Sequence, residues 1–328
     1  ASDVYKRQIL GNVHNDGWKA LKEKKFECFE VTNFDENNLK IQLADVDAIL
    51  LRTSNLNANI LSNCKALKII ARHGVGYDNV DLDYLNKNKV ALGITGTSNA
   101  VSVAEHVLTS FLYLTKNIHL SDRLTREGKF KEKSSLPNFF ELYQKNVLIL
   151  GFGRIGKEVA KRCKGFDANV YVYDPFVENK DIENYGCIPI NKEEGIRLAD
   201  YITVHLPLNS ETRNFISSRE FSSMKKTTII VNSARGGIIN EQSLIEALEK
   251  KNVLAAGIDV FEKEPPDQNN PLFKLANVLL SPHNAALTLE CRKRMATEAA
   301  KLIVYYLTDK KKLNVSNLVN VKKLDLQI

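Results

Sequence analysis

The 328-residue sequence contains no apolar run long enough to cross a bilayer, which takes about 20 such residues for a helix. Its opening, ASDVYKRQILGNV, has neither a long apolar core nor a small-residue cleavage pattern. A secretory signal is therefore not expected, and no weight rests on residues 1–8. Cysteine is scarce. The five present, Cys28, Cys64, Cys163, Cys187 and Cys291, are scattered, odd in number and never spaced C-x-x-C. That argues against a disulfide framework or a cysteine zinc site and for free thiols in a reducing cytoplasm. The six histidines fall in no ligand spacing, so no metal is expected. No internal repeat is visible. The net charge of +7 comes largely from dispersed lysines, and the pI is near 9.0. No aromatic-interleaved basic patch or nucleic-acid motif accompanies them. They read as a solvated surface, with no nucleic-acid or membrane partner.

What is present is a strand–turn–helix–strand–acid signature, KNVLILGFGRIGKEVAKRCKGFDANVYVYDP, over 145–175. Asn146–Leu150 reads as a strand and Lys157–Lys164 has helical periodicity. Val170–Tyr173 reads as the next strand. Gly151 suits the tight turn, Gly153 lets backbone approach a pyrophosphate, and Gly156 lets helix pack on strand. The helix N-terminus would face the phosphates. Asp174, 18 residues past Gly156, suits the ribose hydroxyls of NAD and repels a 2′-phosphate.

With 44% apolar and 26% charged residues, the composition is that of a globular chain, and the length suggests two domains. Strands are predicted at Ile9–Gly11, Phe26–Val31, Val46–Arg52, Leu67–Ala71 and Val90–Ile94, with a helix at Trp18–Lys24. The helix Val101–Lys116 leads into a polar stretch, Asn117–Asn138. Further strands are predicted at Tyr201–Val204, Thr228–Asn232, Ala255–Val260 and Val278–Leu280, and a last helix at Thr288–Leu307. The alternation predicts α/β architecture with two doubly wound parallel sheets, Rossmann- and flavodoxin-like. One domain is inserted in the other: residues 1–100 plus 287–328 for substrate, 101–286 for NAD. A crevice at the carboxyl ends of strands would hold the ligand.

Three polar residues follow predicted strand ends: Arg235 in NSARGG, Glu264 in DVFEKEPP and His283 in SPH. An arginine fork binds a carboxylate bidentately. A histidine can give or take one proton, and a neighbouring carboxylate holds its ring. Together they suit carbonyl reduction by hydride from NAD.

The segments RHGVGYDNVD (72–81), SVAEH (102–106), ILGFGRIG (149–156), VHLP (204–207), NSARGG (232–237), GIDVFEKEPP (257–266) and SPH (281–283) resemble the D-isomer-specific 2-hydroxyacid dehydrogenases over nearly the whole chain. The resemblance implies that His283 is the acid/base, Glu264 its partner and Arg235 the substrate clamp. It implies that backbone N–H groups of Gly74, Val75 and Gly76 hold the substrate carboxylate, with Val75 also near the cofactor. Arg154 and Ile155 match positions at the pyrophosphate. Leu206, Ser233, Ala234 and Asp259 match positions around adenine and nicotinamide, Asp259 orienting the carboxamide or tuning the site. Asn284-Ala285-Ala286 stands where the family often has a glycine-containing continuation bordering the nicotinamide. Gln144 stands where a glycine is common.

Arg52 and Arg72 resemble positions that bind substrate phosphate in the phosphoglycerate dehydrogenase branch. Structural pairing with Asp78 or Asp81 is the alternative. The expectation is an NAD-dependent dehydrogenase of that type, with hydroxypyruvate or glyoxylate reductase as the alternative. An NAD-sensing, corepressor-like binding protein is a reading from another class. The chain stops soon after its last helix, so no appended regulatory domain is expected. The resemblance implies a homodimer formed through the cofactor domain and residues 101–140.

Overall fold

The computed structural model describes residues 6–324. The chain divides into two compact units: Ala100–Ala286, and the segments before and after it, up to Asn99 and from Leu287.

The discontinuous unit holds one sheet. Its strands are β1 (Lys6–Leu10), β2 (Glu27–Val31), β3 (Ala48–Leu51), β4 (Ile69–Arg72) and β5 (Ala91–Gly93). They lie in the order β2-β1-β3-β4-β5, every neighbouring pair parallel. Parallel neighbours need crossovers, and the crossover helices cover both faces. Alternate residues therefore enter different cores. Ala48, Leu50, Ile69, Ala71 and Ala91 pack with Ala296, Ala299, Ala300 and Ile303 of the helix Leu289–Thr308. Ile49, Leu51, Ile70 and Leu92 pack on the other side with Leu39, Leu43, Ile60 and Leu85.

The continuous unit holds seven strands: β6 (Asn146–Leu150), β7 (Asn169–Tyr173), β8 (Ile188–Pro189), β9 (Tyr201–Val204), β10 (Ile229–Asn232), β11 (Ala255–Ile258) and β12 (Val278–Leu280). Their order is β12-β11-β10-β9-β6-β7-β8, again all parallel. On one face Val147, Ile149, Val170 and Val231 meet Ala104, Val107 and Phe111 of the helix Ala100–Lys116, and Val159 and Cys163 of the helix Arg154–Gly165. On the other, Leu148, Leu150, Ile202, Ile230 and Ile258 meet Ile196, Leu244 and Leu248. The fold is thus α/β with two doubly wound parallel sheets. The strand order reverses direction between β1 and β3 in one unit and between β6 and β9 in the other, where open sheets of this kind bind ligands.

Several elements go beyond the sequence reading. The polar stretch after Lys116 contains the helix Ile118–Arg126 and the 3-10 segment Phe130–Ser135. Neither buries a residue, so neither has the apolar stripe that marks a core-facing helix. β8 is two residues long, too short to show a period. The first helix begins at Asn15, ahead of Trp18, where the ring Nδ1 of His14 accepts from the Asp16 N–H at 3.2 Å. The strand predicted at Ala255–Val260 ends at Ile258.

The helix Asn15–Lys22 crosses the helix Leu289–Thr308 at Gly17. A Cβ on Gly17 would lie 2.9 Å from the carbonyl oxygen of Ala296. Glycine to alanine inside a helix normally stabilises; here the contact reverses the sign. Gly17→Ala is expected to lower stability by about 1–3 kcal/mol, read as the midpoint of urea unfolding. A gain in stability would contradict the close crossing.

Candidate active site

The glycine turn after β6 is built as its spacing requires. Gly151 has φ +99°, and a Cβ there would lie 2.7 Å from the His205 carbonyl oxygen. A Cβ on Gly156 would lie 2.2 Å from the carbonyl of Gly151. Gly153 is different: a Cβ there would meet no protein atom within 4 Å. Gly153 is also the N-cap of the helix Arg154–Gly165, so no side chain caps its first turn. An open approach to a helix N-terminus suits an anionic diphosphate. Asp174, at the end of β7, is held at both oxygens. Its Oδ2 accepts from the Phe152 N–H at 2.7 Å and its Oδ1 from the Phe176 N–H at 2.9 Å. The carboxylate is fixed one strand away from the glycine turn, where ribose hydroxyls could reach its remaining lone pairs. These features fit a dinucleotide. Leu206 is buried just beyond β9, and Arg154 and Ile155 lie half-buried in the first helical turn.

Beyond β10, the Asn232 side chain shapes the arginine loop. Its Nδ2 donates to the Arg235 carbonyl at 2.9 Å, and its Oδ1 accepts from the Ala234 N–H at 3.0 Å. The Arg235 guanidinium donates from Nη1 to the Ala234 carbonyl at 2.7 Å. A Cβ on Gly236 would lie 1.8 Å from the Phe261 carbonyl oxygen, so this loop presses directly on the loop after β11. Ser233 is buried, and its Oγ has no partner.

Asp259 directly follows β11 and is 2% exposed. Its Oδ1 accepts from Ser281 Oγ at 2.6 Å and the Asn284 N–H at 2.9 Å, and its Oδ2 from the Ala285 N–H at 3.1 Å. Its backbone carbonyl accepts from the His283 N–H at 2.8 Å. The carboxylate thus grips the loop that carries His283, whose own backbone has φ +51°. His106 Nε2 lies 3.3 Å from Ser281 Oγ and extends the network. Ala286 is half-buried at the end of that loop.

The ring of His283 meets Glu264 with Nδ1 2.8 Å from Oε2, and Glu264 Oε1 accepts from the Phe261 N–H at 3.1 Å. Both side chains are partly exposed, at 47% and 38%. With Nδ1 engaged, Nε2 is the nitrogen left to exchange a proton with a ligand. A largely apolar cavity of about 350 Å³ adjoins the pair, lined by Phe261, Pro265, Pro266, Phe273, Leu280 and Pro282.

Arg52, Arg72 and the loop Gly74–Val75–Gly76 belong to the discontinuous unit. Arg72 donates from Nε to the Gly76 carbonyl at 2.7 Å and from Nη1 to the Leu51 carbonyl at 3.2 Å. Its fork shapes the glycine loop through backbone carbonyls. Arg52 makes no hydrogen bond or ion pair among the described residues. All five cysteines are free thiols. Among the described residues no group of three or more His, Cys, Asp or Glu is placed to hold a metal, and no helix is long and apolar enough to cross a membrane.

Residues 108–285, more than half of the chain, match the family model described as "D-isomer specific 2-hydroxyacid dehydrogenase, NAD binding domain". The chain belongs to the D-isomer specific 2-hydroxyacid dehydrogenases. Family members are NAD-dependent oxidoreductases acting on CH–OH groups, and the continuous unit carries the family's NAD-binding domain. The chain is 37% identical to a D-3-phosphoglycerate dehydrogenase of Archaeoglobus fulgidus, over 93% of this chain and 57% of that protein. It is 32% identical to a glyoxylate reductase of Pyrococcus furiosus, over 91% of each. A crystal structure of D-lactate dehydrogenase from Aquifex aeolicus complexed with NAD and lactic acid aligns with a TM-score of 0.85 and 26% identity, over 96% of this chain and 99% of that one. The chain spans just over half the length of the first curated relatives it matches.

Two histidines stood out less in the sequence than in the structure. One, His73, adjoins the 74–76 loop. The other, His205, follows β9 at the switch point. Its Nε2 is 2.9 Å from Thr203 Oγ1, while its Nδ1 is buried without a partner. Burial pushes its pKa down to about 3. The folded chain therefore keeps this ring neutral while an unfolded chain protonates it below about pH 6.5. The site's contribution is complete above that pH and is lost progressively as pH falls toward 3. At about pH 5 the loss is about 2 kcal/mol. Thermal unfolding of His205→Gln is expected to show correspondingly less acid sensitivity than the parent. Equal acid sensitivity in both would contradict this.

Proposed function

We propose that this chain is an NAD-dependent D-2-hydroxyacid dehydrogenase that interconverts a 2-hydroxy acid and its 2-oxo acid. The observation that carries this reading is the His283–Glu264 pair, 2.8 Å apart, in the unit that also carries the glycine turn and Asp174. When bound, NAD(H) exchanges a hydride with C2 of the substrate. Gly151, Gly153 and Gly156 admit the pyrophosphate, with Arg154 and Ile155 beside it. Asp174 holds the ribose, and Leu206, Ser233, Ala234 and Ala286 line the cofactor. In reduction, protonated His283 gives its Nε2 proton to the carbonyl oxygen; in oxidation it takes that proton back. Glu264 orients the ring through Nδ1 and steadies the imidazolium. Arg235 binds the substrate carboxylate. Asp259 keeps the His283 loop in place.

The substrate reading is a phosphorylated three-carbon acid of the phosphoglycerate type, with its phosphate on Arg52. The names of the 32–37% identical relatives support it, as does a guanidinium placed at the switch point of its sheet. Arg72 contributes by shaping the loop. A small unphosphorylated acid, glyoxylate or hydroxypyruvate, is the second reading, favoured by the glyoxylate reductase that matches over 91% of its own length. The corepressor-like reading is not favoured, since these relatives are named as dehydrogenases and reductases. A homodimer in the cytoplasm completes the proposal. The exposed apolar side chains of Ile118, Phe130 and Phe139 in the segment after Lys116 support self-association.

NADH oxidation followed at 340 nm tests both substrate readings. Faster turnover of phosphohydroxypyruvate than of glyoxylate is expected, and the reverse would favour the reductase. Arg52→Ala should raise KM about tenfold or more for the phosphorylated acid and leave glyoxylate unchanged. His283→Ala should lower kcat by about 10²–10⁴ while NADH still binds, read by its fluorescence. An active His283→Ala variant would remove the proposed proton carrier.

A further inference from the structure

Gly11 follows β1 and Arg52 follows β3, the two strands at the switch point of the discontinuous unit. Gly11 has φ +98°, and a Cβ there would lie 3.2 Å from Arg52 Cβ and 3.7 Å from its Cδ. The stem of Arg52 therefore lies across the turn. On its other side stands His73. Leu51 and Arg72 are register partners in β3 and β4, and the ladder continues as the His73 N–H donates to the Leu51 carbonyl at 2.8 Å. Strand alternation then puts Arg52 and His73 side by side on one face, opposite to Leu51 and Arg72.

His73 is 7% exposed. The backbone of Arg292, in the helix Leu289–Thr308, acts on the ring. The ring's Nε2 is buried and has no partner. An unsatisfied buried ring nitrogen calls for an explanation. Burial first, then the charges of Arg52 and Arg72, hold the ring neutral, with its pKa near 4. The groups acting on it are Arg52 from the end of β3, Arg72 from β4 and the Arg292 backbone from the helix.

We propose that His73 is the protonatable neighbour of Arg52 in an anion site headed by Arg52, and that a dianionic group binding there brings a proton onto His73. This rests on the reading of Arg52 as the phosphate anchor. A dianion beside Arg52 outweighs the positive charge that opposes protonation, and it favours the imidazolium. The coupling acts through charge and needs no contact between ring and ligand. It separates substrates by class: a phosphorylated acid gains affinity as pH falls for as long as its phosphate stays a dianion, above its second pKa of about 6, and an unphosphorylated one does not engage the site.

Sulfate is the probe, because it stays a dianion across the range. Its binding to the NAD⁺ complex is measured calorimetrically between about pH 5.5 and pH 8, in two buffers of different ionisation enthalpy, for the parent, His73→Asn and Arg52→Ala. The parent is expected to take up protons on binding and to bind roughly three- to tenfold tighter at the acid end. His73→Asn should still bind, with the pH slope and proton uptake lost. Arg52→Ala should lose sulfate binding. A flat parent profile, or a slope retained in His73→Asn, overturns the role of His73; the phosphate reading then stands if Arg52→Ala still abolishes binding. Sulfate binding unaffected by Arg52→Ala overturns the phosphate reading and this proposal with it.

Discussion

Parallel pairing is the constraint on which everything else depends. Every strand pair in both sheets is parallel, so each connection crosses back over a face and all carboxyl ends emerge along one edge. Chemistry placed after different strands is thereby collected without any contact between distant segments of sequence having to be specified. Gly151 follows β6, Asp174 follows β7, Arg235 comes after β10, Asp259 follows β11 and His283 comes after β12. In the other sheet Gly11, Arg52 and His73 follow β1, β3 and β4 in the same way.

That edge is then stiffened by buried polar groups rather than by apolar packing. The Asp259 carboxylate accepts three hydrogen bonds from the loop of His283. Asn232 ties both sides of the Arg235 loop. Gly236 lets that loop lie against Phe261 with no room for a side chain. Side chains that act on a bound ligand must hold their geometry to a fraction of an ångström to be useful. Buried acceptors that are fully satisfied supply that rigidity.

Much of this was legible in the sequence. Long apolar strands flanked by a glycine turn and an acid carry their periodicity openly, and β9 and β12 fall where the residues place them. Arg235, Glu264 and His283 stood out because each follows such a strand. The rest was hidden for definable reasons. Arg72 bonds the carbonyls of Leu51 and Gly76, and backbone acceptors leave no trace in side-chain identity. The grip of Asp259 on Ser281, Asn284 and Ala285 depends on β11 and β12 lying side by side. The environments of His73 and His205 are set by burial, which depends on tertiary packing. The helix Ile118–Arg126 buries nothing and so shows no apolar stripe.

The discontinuity of the first unit has a bearing on how the chain is made. Its five strands all precede Ala100 and are synthesised before the inserted unit. One face of their sheet is covered by Ala296, Ala299, Ala300 and Ile303, which leave the ribosome only after the whole of Ala100–Ala286. Until then Leu50, Ile69 and Ala71 lack their cover, while the inserted unit has its own sequence in full and can close its core. The insert is therefore the first to complete, and the early sheet waits on it. The loop closed by the returning helix is long, but closure entropy grows only slowly with length, and less so when most of the loop is already folded.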